Sequence, residues 1–356
     1  MGGSVMTAII SAACTFPSGP TLPLADIAFR LHFSLMRKHP LCVDRSGYPI
    51  KACYFPDIIY ATPEERFRQL ARQVLTELTG HQPALKTITP GRIWLLLPPL
   101  SRPAMSEGVA TAIRETIAKY TGWYHSEICV LHGGQAEIAT AIETIRQNQC
   151  NTIEILMAVD SWLPSSSLMW LDAQNLLHGS LRYFRGDTRP NPYGRVPSEG
   201  AAALAIMSGV SDISPWCFIR NSGTANEPIT CQSDGVCLGK GLTQAALKAL
   251  ETSGTTSVKN VISDVNGEPY RSDELGFTLL RLNGSLYENY QRETPVLASG
   301  DLGCASLLTH MALLSWQMRN STRRADTLIL SSSDDERRGA VVVSKGLRAE
   351  ENGNND

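Results

Sequence analysis

The side chains of this sequence that are best suited to chemistry lie beside short glycine-containing turns. They are His132, Asp264, Asp301 and Cys304. An imidazole and a carboxylate can pass protons to and from a substrate, and a thiol at a helix start can be activated as a nucleophile. Two acids and a histidine that share one pocket would support hydrolytic chemistry, so these four residues are the first candidates for a site.

Each candidate also has a purely structural interpretation. Asp264 ends a predicted strand just before an Asn-Gly pair, which favours a turn. Asp301 precedes an apolar helical segment, where aspartate commonly caps the helix. Cys304 has apolar neighbours and fits a packed face, and His132 fits a polar position at a helix entry. The sequence leaves both interpretations open.

Composition argues against several classes of protein. The 356 residues carry a formal charge of −2, without the basic excess that nucleic-acid binding needs. No apolar run approaches the roughly 20 residues that span a bilayer. The nine cysteines and seven histidines are scattered, with no CxxC pair and no zinc-ligand spacing. We therefore expect no metal, no cofactor, no nucleic acid and no membrane, and reduced thiols in a cytoplasmic protein.

Short β-branched or aliphatic runs alternate with amphipathic segments, which predicts an α/β fold. One of these segments places Arg66, Arg68 and Arg72 behind two glutamates, a pattern typical of a solvated helix face of mixed charge. Strands are predicted at residues 8–13, 92–97, 127–131, 152–158, 202–207, 216–220, 260–263, 327–331 and 339–343. Helices are predicted at residues 63–78, 105–120, 135–148, 242–252, 272–287 and 302–318.

These elements follow the same order twice, although no sequence repeat joins the two copies. We expect an N-terminal half over residues 1–214 and a C-terminal half over residues 215–346. The polar stretch 347–356 is predicted to be a flexible tail.

Four blocks, in order, resemble a β-ketoacyl synthase of the thiolase superfamily. The first joins a strand, a glycine turn and a helix, and its match extends through the next strand. The second resembles the family's Arg-Pro-Phe and Gly-Glu-Gly-Ala stretch. The third is similar to its His-Gly-Thr-Gly-Thr-Pro turn, and the fourth to its Asn-x-Gly-His turn and helix. The blocks are VLHGGQA and ILMAVD (130–136 and 155–160), RPNPYG and PSEGAAAL (189–194 and 197–204), SDVNGEP (263–269) and ASGDLGCAS (298–306).

The resemblance implies a five-layered αβαβα thiolase-like fold of two pseudo-equivalent halves, commonly dimeric, with a pantetheine pocket between the halves. At the positions of the family's Cys, His and His, this chain has Leu131, Asp264 and Asp301. Leucine cannot attack a thioester, and an ionised aspartate cannot donate to an oxyanion. The bulky loop 332–338 also replaces the family's glycine-rich loop. Glu199 matches a family acid, and we expect it to hold backbone near the pocket.

Three functional hypotheses follow. The first is a catalytically inactive binding partner, either an accessory or chaperone protein that loads effectors in type VI secretion or the silent subunit of a ketosynthase heterodimer. Its partners would be a secretion effector or adaptor, a ketosynthase or an acyl carrier protein, and we also expect a homodimer. The second is a divergent acyltransferase or hydrolase of the 3-oxoacyl-ACP synthase type that uses His132 with Asp264 or Asp301. The third is a non-catalytic regulator that binds an acyl carrier protein or CoA.

Overall fold

The computed structural model describes residues 7–148, 152–184, 187–209, 213–251, 257–323 and 325–346. The predicted tail 347–356 and the last residue of the predicted helix 242–252 lie outside these ranges. The strands are β1 (Thr7–Thr15), β2 (Arg37–Val43), β3 (Pro49–Ala52), β4 (Arg92–Leu97), β5 (Glu127–His132), β6 (Ile153–Ser161), β7 (Leu181–Phe184), β8 (Asp187–Pro190), β9 (Glu199–Ser208), β10 (Cys217–Asn226), β11 (Val258–Ser263), β12 (Leu286–Glu293), β13 (Thr327–Ser332) and β14 (Arg337–Ser344).

Each predicted helical segment corresponds to a helix of the structure to within a few residues, with one exception described below. Short 3₁₀ turns cover Pro56–Ile58, Pro83–Lys86, Asn283–Ser285 and Gly303–Ala305. The α-helices are α1 (Leu22–Arg30), α2 (Pro63–His81), α3 (Glu107–Thr121), α4 (Glu137–Asn148), α5 (Ser165–Ala173), α6 (Lys240–Glu251), α7 (Pro269–Arg281), α8 (Val296–Ser299) and α9 (Ser306–Arg319).

Ten strands form one sheet in the order β12-β11-β13-β14-β10-β1-β9-β6-β4-β5, and β2–β3 and β7–β8 are separate hairpins. In the first half, β4 is parallel to β5 and β6, and β9 runs antiparallel to β6 and β1. In the second half, β11 is parallel to β12 and β13, and β14 runs antiparallel to β13 and β10. The two halves therefore have the same strand order and the same directions.

The central core lies between these two halves of the sheet and is filled by α4 and α9. Every residue of α9 from Ser306 to Ser315 is buried, as expected of a helix that is covered on all sides. On β1, Ile9 and Ala12 face this core, whereas Ile10 faces outward. A bulge between Ile9 and Ser11 lets Ser11 follow Ile10 outward and donate to the Leu78 carbonyl in α2.

Two further helical layers cover the outer faces of the sheet. Helices α2 and α3 pack on the first half, and α6 and α7 pack on the second. The order helix, sheet, helix, sheet, helix is the five-layered αβαβα arrangement with two pseudo-equivalent halves. The boundary between residues 214 and 215 stays a prediction.

One predicted helix was wrong at its end, and several small elements were missed. The segment 272–287 was predicted as one helix, but α7 ends at Arg281 and β12 begins at Leu286. Helices α1 and α5 and the hairpin β2–β3 form a part of the fold that the sequence pattern did not indicate. In the described ranges, no helix combines the length and the apolar character needed to cross a bilayer.

Candidate functional site

A cavity of about 370 Å³ opens where β4, β5, β6 and β13 end. Ligands of α/β proteins commonly bind at the carboxyl ends of parallel strands, so this is the natural place for a site. Its lining combines aromatic, acidic and small residues. The lining residues are Pro99, Ser101, Arg102, Gly133, Gly134, Gln135, Asp160, Trp162, Trp170, Thr230, Gln232, Gly303, Cys304, Asp334, Asp335 and Glu336.

The turn between β5 and α4 lines this cavity but carries no nucleophile. Leu131 lies in β5, half-buried, and packs against the central core. A side chain added at Gly134 would place its Cβ 2.5 Å from the Cβ and Oγ of Ser333. The Ser333 hydroxyl also accepts a hydrogen bond of 3.0 Å from the Ala136 amide. The loop between β13 and β14 therefore closes over the turn, and Ser333 fills the space above Gly134.

His132 does not join the two aspartates. Its Nδ1 lies 3.0 Å from the carbonyl oxygen of Pro98, at the end of the neighbouring strand β4. Among the described residues, no hydrogen bond or ion pair links this imidazole to Asp264 or Asp301. The structure therefore does not bring together the pair of groups that the hydrolytic hypothesis requires.

Asp264 ties two strands together instead of forming its own turn. It accepts hydrogen bonds from the Ser331 hydroxyl (2.7 Å) and the Ser332 amide (3.0 Å), so it fastens the end of β11 to β13. Burial raises the pKa of Asp264 to about 6, against the pull of Arg271. The turn that follows is held by Asn266, whose side chain accepts from the Glu268 amide (3.3 Å).

Asp301 lies at the start of the 3₁₀ turn that leads into α9. One carboxylate oxygen accepts from the Gly303 amide (2.8 Å). The prediction that Asp301 caps the helix was wrong, because the N-cap position of α9 is Ala305, after the intervening 3₁₀ turn. The other accepts from the Asn266 side-chain amide (2.9 Å) and lies 3.4 Å from the Arg195 guanidinium. Asp301 is thus bound to the same cluster of side chains as the turn after Asp264.

Two buried arginines join this region into one ion network. Arg195 donates to Glu268 (2.9 and 3.0 Å) and to Asp334 (3.1 and 3.2 Å). Arg271 donates to Asp334 (2.6 Å) and Glu268 (3.2 Å) and lies 3.9 Å from Asp264. We define the ion network as Arg195, Arg271, Asp264, Glu268, Asp301 and Asp334.

The arginines keep two of these acids charged. Burial disfavours the carboxylate form, but the charges of Arg195 and Arg271 outweigh it and hold the pKa of Glu268 and of Asp334 below their ordinary values. Because every acid of the network contacts a guanidinium, the positions that match the family's two histidines are engaged in structural ion pairs. Both carboxylates accept hydrogen bonds from neighbouring groups, so neither side chain is placed as a donor to an oxyanion.

Cys304 lines the cavity but is held as a thiol. Its amide donates to Asp160 (2.7 Å), and its sulfur lies 3.7 Å from the Val159 carbonyl oxygen. Burial, together with the charge of Asp160, raises the pKa of the thiol well above its ordinary value. Asp160 itself is paired with Arg102. Cys304 is therefore a packed cysteine and a poor nucleophile.

A second ion pair behind the cavity corrects one interpretation of the sequence. Arg66 is 2% exposed and donates to Glu199 at 2.6 Å, so it does not belong to a solvated face with Arg68 and Arg72. Glu199 also accepts from the Phe55 amide (2.9 Å) and from Ser161 (3.1 Å). Glu199 holds the backbone of Phe55 near the cavity, as we expected from its match to a family acid.

One cluster in the described part of the chain has the composition of a metal site. Glu227, Cys237 and Glu274 are buried, and their ligand atoms lie within 4.8 Å of one another. Glu274, however, already accepts from Arg338 (2.5 Å) and from Ser332 (2.6 Å). The guanidinium supplies the positive charge that an ion would bring, so we assign no metal to this cluster.

No protein-family model and no curated protein matches the chain. Solved structures do. A chain of "The ishigamide ketosynthase/chain length factor" aligns over 95% of this chain and 99% of its own length, with a TM-score of 0.70 and 14% identity. A chain of the AntDE:AntF complex, described as a type II PKS acyl-carrier protein with its ketosynthase, aligns over 96% and 100%, with a TM-score of 0.75 and 13% identity.

A ketosynthase from the bacillaene synthase of Bacillus subtilis 168 aligns over 96% of this chain and 72% of its own, with a TM-score of 0.72 and 12% identity. Identities this low establish the fold and leave the activity open. Together with the repeated strand order and the five layers, these likenesses give the conclusion that the chain has the thiolase-like fold of the ketosynthases.

Proposed function

We propose that this chain is a catalytically silent, ketosynthase-like subunit that acts by binding a protein partner. The observation that carries the proposal is the β5–α4 turn, where Ser333 fills the space above Gly134 and no thiol or hydroxyl of the turn faces the cavity. The ion network supports it, because Asp264 and Asp301 are engaged in structural contacts.

The edge strand β5 offers the surface for such a partner. It pairs with β4 on one side and ends the sheet on the other. Its side chains from Ile128 to Leu131 are apolar and only half-buried. An exposed edge strand with apolar side chains pairs readily with another chain, since its outward backbone groups lack partners and its side chains gain burial. A second chain of the same fold can extend the sheet across β5.

The comparisons favour a ketosynthase-type partner over a secretion effector. The ishigamide structure is described as a ketosynthase/chain length factor, and the AntDE:AntF structure as an acyl-carrier protein in complex with its ketosynthase. A partner of one of these two kinds, or a second copy of this chain, suits a subunit that keeps the fold without the nucleophile. The accessory role in type VI secretion has no observation in its favour and remains a hypothesis from the resemblance.

The test combines mass measurement with a change at the edge strand. Light scattering is expected to show a two-chain particle in two samples. One is the purified chain alone, and the other is the chain mixed with a purified ketosynthase from its native host. Cys129→Lys places a charge at the centre of β5 and is expected to weaken that association at least about tenfold. The matched control is Gln291→Lys, which adds the same charge on the exposed edge strand β12 and is expected to leave association unchanged.

Two results would contradict the proposal. One is a monomer at every concentration, both alone and with the ketosynthase. The other is an acyl adduct, detected by intact mass after incubation with acetyl and malonyl thioesters, that disappears in a Cys304→Ala or His132→Ala variant. The second result would restore the enzyme hypothesis.

A further inference from the structure

Helix α1 has an outward apolar stripe in addition to its buried face. Leu22, Ala25 and Phe29 point into the central core. Leu24, Ile27 and Leu31 are 48%, 45% and 71% exposed, at the spacing that places side chains on one side of a helix. A surface helix normally carries polar residues on its solvent face, so this second stripe is unusual.

The exposed apolar surface continues past the helix into the hairpin β2–β3. Residues 22–52 hold eight of the 19 large apolar side chains that are exposed in the described part of the chain. This is a strong concentration for a segment that makes up less than a tenth of the sequence. Helix α8 packs beside α1 and adds Leu297, which is 61% exposed. The eight are Leu24, Ile27, Leu31, Phe33, Met36, Leu41, Val43 and Tyr48.

The exposed charge around these side chains is positive. Residues 22–52 contain five cations and two acids, and both acids, Asp26 and Asp44, are buried. Asp26 pairs with Arg30 (3.0 Å) and accepts from Gln317 (2.7 Å), and Asp44 accepts from the backbone amides of its own turn. Arg45 pairs with Asp172 (3.3 Å), so Arg37, Lys38 and Lys51 carry the unbalanced positive charge. Among the described residues, no carboxylate pairs with Arg37, Lys38 or Lys51. The five cations are Arg30, Arg37, Lys38, Arg45 and Lys51.

We propose that this surface, which we call the α1 face (residues 24–38), docks an amphipathic helix of a partner protein that presents carboxylates beside an apolar stripe. The apolar row at positions 24, 27 and 31 offers ridges and grooves for a second helix. The basic residues that follow it complement acidic flanks and would speed and orient the encounter.

Charge separates this partner from a second copy of the chain. In a two-fold dimer the same patch meets itself, so the cations of one α1 face would oppose those of the other. No exposed carboxylate lies within residues 22–52 to balance that repulsion. The α1 face and the β5 edge consist of different residues, and this inference does not rest on the proposed ketosynthase-like partner.

The experiment uses the full chain and a fluorescent 18-residue peptide with leucines at helical spacing between flanking glutamates. Fluorescence anisotropy is expected to show binding that weakens as salt rises. Ile27→Glu is expected to reduce affinity at least about tenfold, and Lys38→Glu by a smaller factor. The control is Leu280→Glu, which alters a 74% exposed leucine on the outside of α7 and should leave binding unchanged. Thermal unfolding of each variant confirms that these exposed changes leave the fold intact.

Three outcomes would overturn the inference. The first is equal binding of the peptide and of a scrambled version of the same composition, and the second is no binding of either. The third is an equal loss of binding in Ile27→Glu and Leu280→Glu. Sedimentation with vesicles of phosphatidylcholine and phosphatidylglycerol, in the absence of peptide binding, would reassign the α1 face to an anionic lipid surface. The β5 variant Cys129→Lys serves as a further control, because it should still bind the peptide.

Discussion

The central core and the wall of the cavity are built from the same strands but by opposite means. Between the two halves of the sheet, β4, β6 and β13 contribute apolar side chains that pack on α4 and α9. At the carboxyl ends of those strands, a few residues further along, the structure is held by buried arginines that pair with carboxylates. The difference shows that the strand interiors specify the fold, while the strand ends can change their chemistry without losing it.

The two regions should also respond differently to substitution. Apolar contacts are many and individually small, so a side chain of similar volume restores most of them. The ion network depends on each cation, because the loss of one reduces the positive charge that balances several carboxylates at once. This contrast gives three tests, in decreasing order of expected effect.

The largest effect is expected from Arg195→Met. It removes the guanidinium that contacts Glu268, Asp301 and Asp334, and is expected to lower the free energy of unfolding by about 3–5 kcal/mol. Leu308→Met, in the buried first turn of α9, keeps the volume of the core and should cost less than about 1.5 kcal/mol. Urea denaturation of the two variants measures the difference directly.

Arg68→Met is the control for the loss of an arginine charge at an exposed position. Arg68 pairs with Glu65 while both side chains are about 40% exposed, so its loss should cost less than about 1 kcal/mol. Equal costs for Arg195→Met and Leu308→Met would remove the distinction between the two regions.

A second test concerns the closed turn between β5 and α4. Gly134→Cys would force its Cβ against Ser333, whereas Ser333→Gly removes that obstacle along with the hydrogen bond to the Ala136 amide. In a double-mutant cycle, Gly134→Cys is expected to cost at least about 1 kcal/mol less in the Ser333→Gly background. If the two substitutions are additive, Ser333 does not fill the site in solution.

The smallest effect is a pH dependence assigned to Asp264. Burial raises its pKa from 3.8 to about 6, so between these values the folded chain holds a proton that the unfolded chain has lost. Its contribution to stability therefore falls as pH rises from about 4 to 6. Asp264→Asn lacks this titration, and its stability relative to wild type should increase over that range by on the order of 1–3 kcal/mol. Urea midpoints from pH 4 to 8 measure it, and a constant difference would place the pKa of Asp264 near its ordinary value.

Much of the fold could be predicted because its signal is local. The alternation of short aliphatic runs with amphipathic segments predicted nine strands and six helices, and the structure has a strand or a helix at each of these places. The edge strand β12 was missed because its sequence, LYENYQRE, is polar and continues the helical spacing of the preceding leucines. Helix α1 was missed because its two apolar stripes obscure the one-sided pattern of a surface helix.

The candidate site could be predicted only in part. Turn sequences and the resemblance drew attention to Leu131, Asp264 and Asp301, but the partners of these residues were not visible in the sequence. Arg195 contacts Asp334 across 139 positions, and Ser333 meets Ala136 across 197. Such pairings arise when the two halves of the sheet close together, and a single sequence carries no local signal for them. In the sequence, the feature that pointed to the site was the position of Asp264 and Asp301 beside glycine-containing turns.

The unlike edges of the sheet bear on how far assembly can proceed. An open-ended filament would require β5 of one molecule to add to β12 of the next, and so on without limit. Strand β12 resists this addition, because Glu288, Arg292 and their polar neighbours present hydrated charges along that border. If β5 pairs with a partner as proposed, growth by strand addition would stop after that single junction, because β12 disfavours a second one.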